Sequence, residues 1–155
     1  AAAVVGAFEG TISKVTALAV FMPIVAGMGG NAATQTLTVI VRGLALGEVS
    51  FATARKALAK EAAIGLGNGV TLGLVAAGVC MVTKQDPMLG LVLGMAMMVN
   101  LFVAATAGTL VPLGLKALKV DPALGSSVFI TTSTDVVGFA AFLGLATVFL
   151  RYLVR

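Results

Sequence analysis

Histidine and tryptophan are absent from this 155-residue chain, cysteine occurs once, and only 10% of positions are charged. Without histidine the commonest metal ligand is gone, and without tryptophan so is one common membrane-interface anchor. The lone Cys80 lies in an apolar run, so neither a disulfide framework nor a thiolate metal site can be assembled. The scarcity of charge excludes more. A soluble domain is about one-quarter charged, and a chain this short cannot hide so much apolar area from water.

What remains is 59% hydrophobic, with a mean hydropathy of +1.11. Lipid is the solvent that suits such a surface, and the chain reads as an all-α, polytopic membrane helix bundle. The net charge of +4 fits contact with anionic headgroups and gives no reason to invoke nucleic acid. Apolar runs of spanning length, about 20 residues, fall around 16–41, 62–83, 88–115 and 123–150. Pro87 and Pro122 each follow an aspartate, which makes Asp86 and Asp121 N-caps with proline at the first helical position. The opening "AAAVVGAF" is apolar but too short to cross alone. It reads as the tail of a span whose beginning is missing, giving five transmembrane helices per subunit with the first truncated, in one domain over 1–155. The stretch "FATARKALAKE" carries Phe51, Ala54, Arg55 and Leu58 at helical spacing and reads as a short amphipathic helix in the interface.

Basic residues set the orientation. Arg42, Arg55, Lys56, Lys60, Lys116 and Lys119 fall on one side, and Lys14, Lys84, Arg151 and Arg155 on the other. The richer side is expected in the cytoplasm, which places the C-terminus outside a plasma (inner) membrane.

The first whole span contradicts its apolar surroundings. "MPIVAGMGGNAATQTLTVIVRG" holds a proline, several glycines, an amide pair and threonines. Asn31, Gln35, Thr38 and Arg42 are spaced 4, 3 and 4, which puts them on one helix face with Thr34 beside them. Facing lipid they would be costly; facing water or a neighbouring helix they are satisfied. "MGGN" can also loosen the helix and free carbonyl oxygens as ligands. Helix-to-helix glue is the simpler alternative for the same residues.

The last span is sharper. Asp135 lies roughly 21 Å beyond the Asp121 cap at 1.5 Å per residue, near the middle of the run. An intramembrane carboxylate usually lines a bundle interior or an aqueous path. Thr131 and Ser127 sit one and two turns before it on the same face, and Gly138 one turn after. Oxygen without nitrogen or sulfur suits a hard cation. Two copies meeting on a two-fold axis would supply two carboxylates for a divalent ion. A protonated aspartate serving as structural glue, or a proton relay, uses the same residue. Glu9 and Glu61, near helix ends, are candidate pore-mouth carboxylates or ordinary solvated residues. Asn68 and Asn100 are mid-membrane amides, and "GLGNGVTLG" and "AATAGTLVPLG" are small-residue surfaces suited to tight helix crossings.

Together "FMPIVAGMGGNAATQTLTVIVRGLALGE", "VNLFVAATAGTLVPLGLKALKVDPA" and "ITTSTDVVGF" resemble the transmembrane domain of the MgtE family of magnesium channels and transporters. The resemblance covers nearly the whole chain. It implies a homodimer in the lipid bilayer, five helices per subunit, and an ion path between subunits lined chiefly by the second and fifth helices. It also implies that Asp135 is the central Mg²⁺-binding residue, with the Thr131 carbonyl lining the site. Where the family pattern has an asparagine eight residues before that aspartate, this chain has Ser127, whose shorter reach implies a wider or weaker site. Most bacterial members also carry cytoplasmic magnesium-sensing domains ahead of the membrane part. Neither a helical domain nor a paired CBS domain occurs in these residues, which implies either a trimmed chain or a different gate. The expected function is passage of largely hydrated Mg²⁺, with no bond made or broken and hence no enzyme. A secondary carrier coupled to H⁺ or Na⁺ is the alternative.

Overall fold

The computed structural model describes residues 1–84 and 86–154, and the side-chain environment of all of these except residues 124 and 125. Gln85, in the turn expected outside the membrane, and Arg155 lie outside the described residues. The elements are α1 (Ala2–Ala7), α2 (Glu9–Lys14), α3 (Ala17–Ala45), α4 (Ala54–Lys84), α5 (Pro87–Ala117), α6 (Pro122–Val148) and α7 (Leu150–Leu153). Four of them, α3 to α6, are long and apolar enough to cross a membrane. The residues before Ala17 form two short helices, and α2 is tied to the end of α6 by Thr11 Oγ1 and Thr147 Oγ1 at 2.8 Å.

The starts of two helices follow the expected chemistry. Asp86 Oδ1 accepts from the amides of Met88 (2.9 Å) and Leu89 (3.1 Å), and Asp121 Oδ1 accepts from Ala123 (2.9 Å). Each satisfies orphan first-turn donors while proline fills the position needing none.

Two local expectations are corrected. No separate interfacial helix forms over residues 51–61; the segment from Ala54 continues without a break into the span. Its "ARKALAKEAA" start is rich in strong helix formers and contains neither glycine nor proline, so nothing interrupts propagation. Nor does "MGGN" loosen its helix: α3 runs continuously from Ala17 to Ala45 through Pro23, Gly29 and Gly30. Tertiary contact at Gly29 holds the helix where local propensity alone would weaken it.

Helix α5 is the axis of the bundle, burying Leu89, Val92, Leu93, Ala96, Met97, Asn100, Leu101 and Ala104 among others. Helices α3, α4 and α6 each pack on it, and α3 also packs on α6. The α4–α5 seam is built on glycine. A Cβ on Gly73 would lie 2.8 Å from the Gly94 carbonyl oxygen, and one on Gly69 would lie 3.0 Å from the Met98 Cα. Gly65, Gly69, Gly73 and Ala77 recur at every fourth residue, so one stripe of small residues brings the two backbones together. On the other side Gly108 of α5 sits against Thr36 and the Ala33 carbonyl of α3.

Candidate cation site

Helices α3 and α6 are antiparallel, because three successive reversals separate them. Their depths are locked together by Gly29 and Gly138, which both abut the side chain of Asn100 on α5. From Gly138, Asp135 is three residues back along α6; from Gly29, Asn31 and Ala32 are two and three residues forward along α3. At 1.5 Å per residue Asp135 and Asn31 therefore share one depth near the bundle's middle.

Asn31, Thr34, Gln35, Thr38 and Arg42 are all exposed, so the whole predicted stripe lies off the α5 interface. On α6, Ser127 is exposed, Thr131 and Asp135 are half-buried, and Gly138 is buried. The two sets are not equivalent in chemistry. Thr34 Oγ1 donates to Gly30 O (2.9 Å), Thr38 Oγ1 to Thr34 O (2.8 Å), and Thr131 Oγ1 to Ser127 O (2.9 Å). Each hydroxyl proton is thus spent on the helix's own backbone, and the lone pairs are what the side chain offers outward. Water molecules around a cation present hydrogens, so an acceptor-rich face matches a hydrated cation.

The Thr131 carbonyl, by contrast, accepts the Thr134 hydroxyl at 2.9 Å within an unbroken helix. Its hydrogen-bonding capacity is already used. Gly138, expected beside Asp135 on an open face, instead meets Asn100. No cluster of three or more acidic, cysteine or histidine residues occurs among the described residues. A metal site on one chain would rest on the single Asp135 carboxylate with neutral oxygens.

The two further carboxylates have different settings. Glu9 opens α2 and is exposed. Glu61 is only 6% exposed, with its Oε2 accepting from Thr36 Oγ1 at 3.2 Å. It sits in a cleft of about 280 Å³ between α3 and α4, beside Gln35, Lys60 and Asn68. Gln35 therefore reaches toward this cleft as well as belonging to the α3 stripe.

Sequence reasoning missed the weight of Asn100, whose side chain touches the helices bearing both halves of the candidate site. The available signal was an amide at mid-span opposite glycines on two other helices, and that pairing needs the fold to be seen.

Residues 22–145 match the family model described as MgtE, divalent cation transporter. The chain is 34% identical over 150 residues to a magnesium transporter MgtE of Bacillus subtilis (strain 168), covering 97% of this chain and 33% of that protein. It is 36% identical over 153 residues to a magnesium transporter MgtE of Enterococcus faecalis, covering 99% and 34%. Against a magnesium transporter MgtE of Thermus thermophilus it is 35% identical over 144 residues, covering 93% and 32%. The chain thus spans about one-third of the length of these curated relatives.

Proposed function

Because the chain belongs to the MgtE family of divalent cation transporters, we propose that it forms the membrane pore for largely hydrated Mg²⁺, between two copies of itself. The observation that carries this reading is an uncovered polar face at mid-membrane depth. Asn31, Thr34 and Thr38 are exposed on α3 and Asp135 is half-buried on α6, while the outer face of α4 offers Ile64, Leu66, Val70, Leu74 and Val79. Hydrocarbon can satisfy the α4 face but not the other. A second copy related by a two-fold axis would cover the polar face and bring a second Asp135 to the first.

Two carboxylates at the axis match the charge of one divalent ion. Mg²⁺ gives up its water reluctantly, so the ion keeps most of its shell. Its waters donate to Asp135 of both copies and to the outward lone pairs of the threonines. Attraction must concentrate the ion without trapping it. Ser127, two turns from Asp135, completes the column with a hydroxyl. The segment ahead of Ala17 stands for the first of five helices in each subunit, and cytoplasmic regulatory domains are expected partners.

Asp135→Asn tests the reading, since it keeps shape and hydrogen bonding but removes charge. Folded Asp135→Asn protein in liposomes is expected to lose nearly all Mg²⁺ uptake, and uptake at the unmutated level would refute the proposal. For orientation, the basic bias puts residues 50–60 and 117–120 in the cytoplasm and the C-terminus outside. Cysteine labelling from one side of intact cells should reach residue 84 but not residue 55, and labelling of both would overturn that arrangement. A coupled carrier has one observation in its favour, the second ionisable group Glu61 held between α3 and α4. Ohmic unitary currents would exclude it; an obligatory H⁺ or Na⁺ counter-flux would establish it.

A further inference from the structure

We infer that Asn100 is the positioning residue of the cation path, holding α3 and α6 at the spacing that Asp135 requires. The inference rests on the proposed function, and it concerns a side chain that touches no ion.

Asn100 stands in the middle of α5 and is 0% exposed. Its Nδ2 donates to the carbonyl oxygen of Val25 on α3 at 2.7 Å. The same amide lies where side chains of two other residues would be. A Cβ on Gly29 of α3 would fall 2.2 Å from Nδ2, and a Cβ on Gly138 of α6 would fall 2.7 Å from it. One planar group thus abuts both helices that carry candidate path residues, one turn or less from Asn31 and from Asp135. Because neither glycine can accept a methyl while the amide is there, the spacing of α3 and α6 is set by the thickness of Asn100.

Packing alone does not explain an amide at this point. Asn100 Oδ1 is buried and has no hydrogen-bond partner among the described residues. An unpaired buried acceptor is costly, and an apolar side chain of similar bulk would remove the cost. What an apolar residue could not supply is the bond to Val25 O, a buried directional link at mid-helix that fixes α3 along and around its axis relative to α5. The other side-chain bond between these helices, from Lys116 Nζ to Leu44 O at 3.4 Å, lies at their far ends. Pro23, two residues earlier, leaves this part of α3 short of one internal hydrogen bond, so an external anchor counts for more here than elsewhere on the helix.

The test separates filling from positioning. In Asn100→Ala combined with Gly138→Ala, the new methyl occupies space the amide has vacated, so bulk is partly restored without the hydrogen bond. Asn100→Val is measured in parallel as a second way to keep bulk and lose the bond. Thermal stability, the half-saturating Mg²⁺ concentration and maximal uptake are read for each variant in liposomes, beside the unmutated protein and Asp135→Asn. The expected result is a folded protein whose half-saturating Mg²⁺ concentration rises about fivefold, the scale of one lost hydrogen bond. Unchanged half-saturation in a folded variant would overturn the inference. So would failure of both variants to fold, because Asn100 would then serve the fold itself and not the path. Normal uptake by Asp135→Asn in the same series would instead strike the proposed path, and identifies that failure separately.

Discussion

The seam between α4 and α5 and the seam between α3 and α6 solve the same problem in opposite ways. Both join helices in lipid, where apolar side chains gain nothing by leaving hydrocarbon for each other. Along α4 the answer is contact between backbones, through Gly65, Gly69 and Gly73 against Leu101, Met98 and Gly94. The outer face of α4 is finished mainly with large aliphatic side chains. Of its exposed mid-helix polar residues, Asn68 lines the cleft toward α3 and the Thr71 hydroxyl donates to the Gly67 carbonyl. Along α3 and α6 the helices are held apart by an amide, and the outward faces carry hydroxyls, amides and one carboxylate. The first seam is complete within one chain. The second is complete only when something else covers it, and in the proposed function that difference separates scaffold from path.

Substitutions should therefore act differently on the two sides. The largest effect is expected from Gly73→Leu, whose first side-chain carbon already meets the Gly94 carbonyl. Forcing the backbones apart should cost on the order of 3 kcal/mol, seen as a lower melting temperature and loss of folded protein. A stable Gly73→Leu protein would show that the α4–α5 seam is looser than described. Next comes Asn31→Leu, expected to leave melting unchanged because the side chain is exposed, while Mg²⁺ uptake falls several-fold. If melting rises and uptake is untouched, the α3 stripe is glue and the comparison collapses. Leu74→Val, at a residue 69% exposed on the outer face of α4, should change neither quantity. Val39 is less suitable as a lipid-facing control, because it borders the cleft that holds Glu61.

Much of this contrast could be read from residue order. The four membrane-length helices, the Asp86 and Asp121 caps, the small-residue surface from Gly65 to Gly73 and the exposed stripe of α3 all follow from local pattern, because each depends on one helix at a time. The errors came where several helices meet. Local propensity predicts weakness at Gly29 and Gly30, but Asn100 fills the space beside Gly29 and α3 stays whole. Glu61 reads as either a pore-mouth carboxylate or a solvated helix-start residue, and its burial, with Thr36 of α3 bonded to it, needs the neighbouring helices to be seen. Gly138 shares a helical face with Asp135 by spacing, yet α5 claims it. The start of α4 departs from expectation for a simpler reason: Phe51, Ala54, Arg55 and Leu58 at helical spacing read as a separate interfacial helix, whereas the alanine-rich residues from Ala54 propagate into the span without interruption.

The claim that the second seam is closed by another copy of the chain, with the ion between two Asp135 carboxylates, is tested most directly by counting ions. Titration calorimetry on the unmutated protein and on folded Asp135→Asn, in the same detergent, measures how many Mg²⁺ ions the substitution removes. A two-fold axis predicts the loss of about one ion for every two chains. Loss of one ion for every chain, or no loss at all, would contradict a shared site.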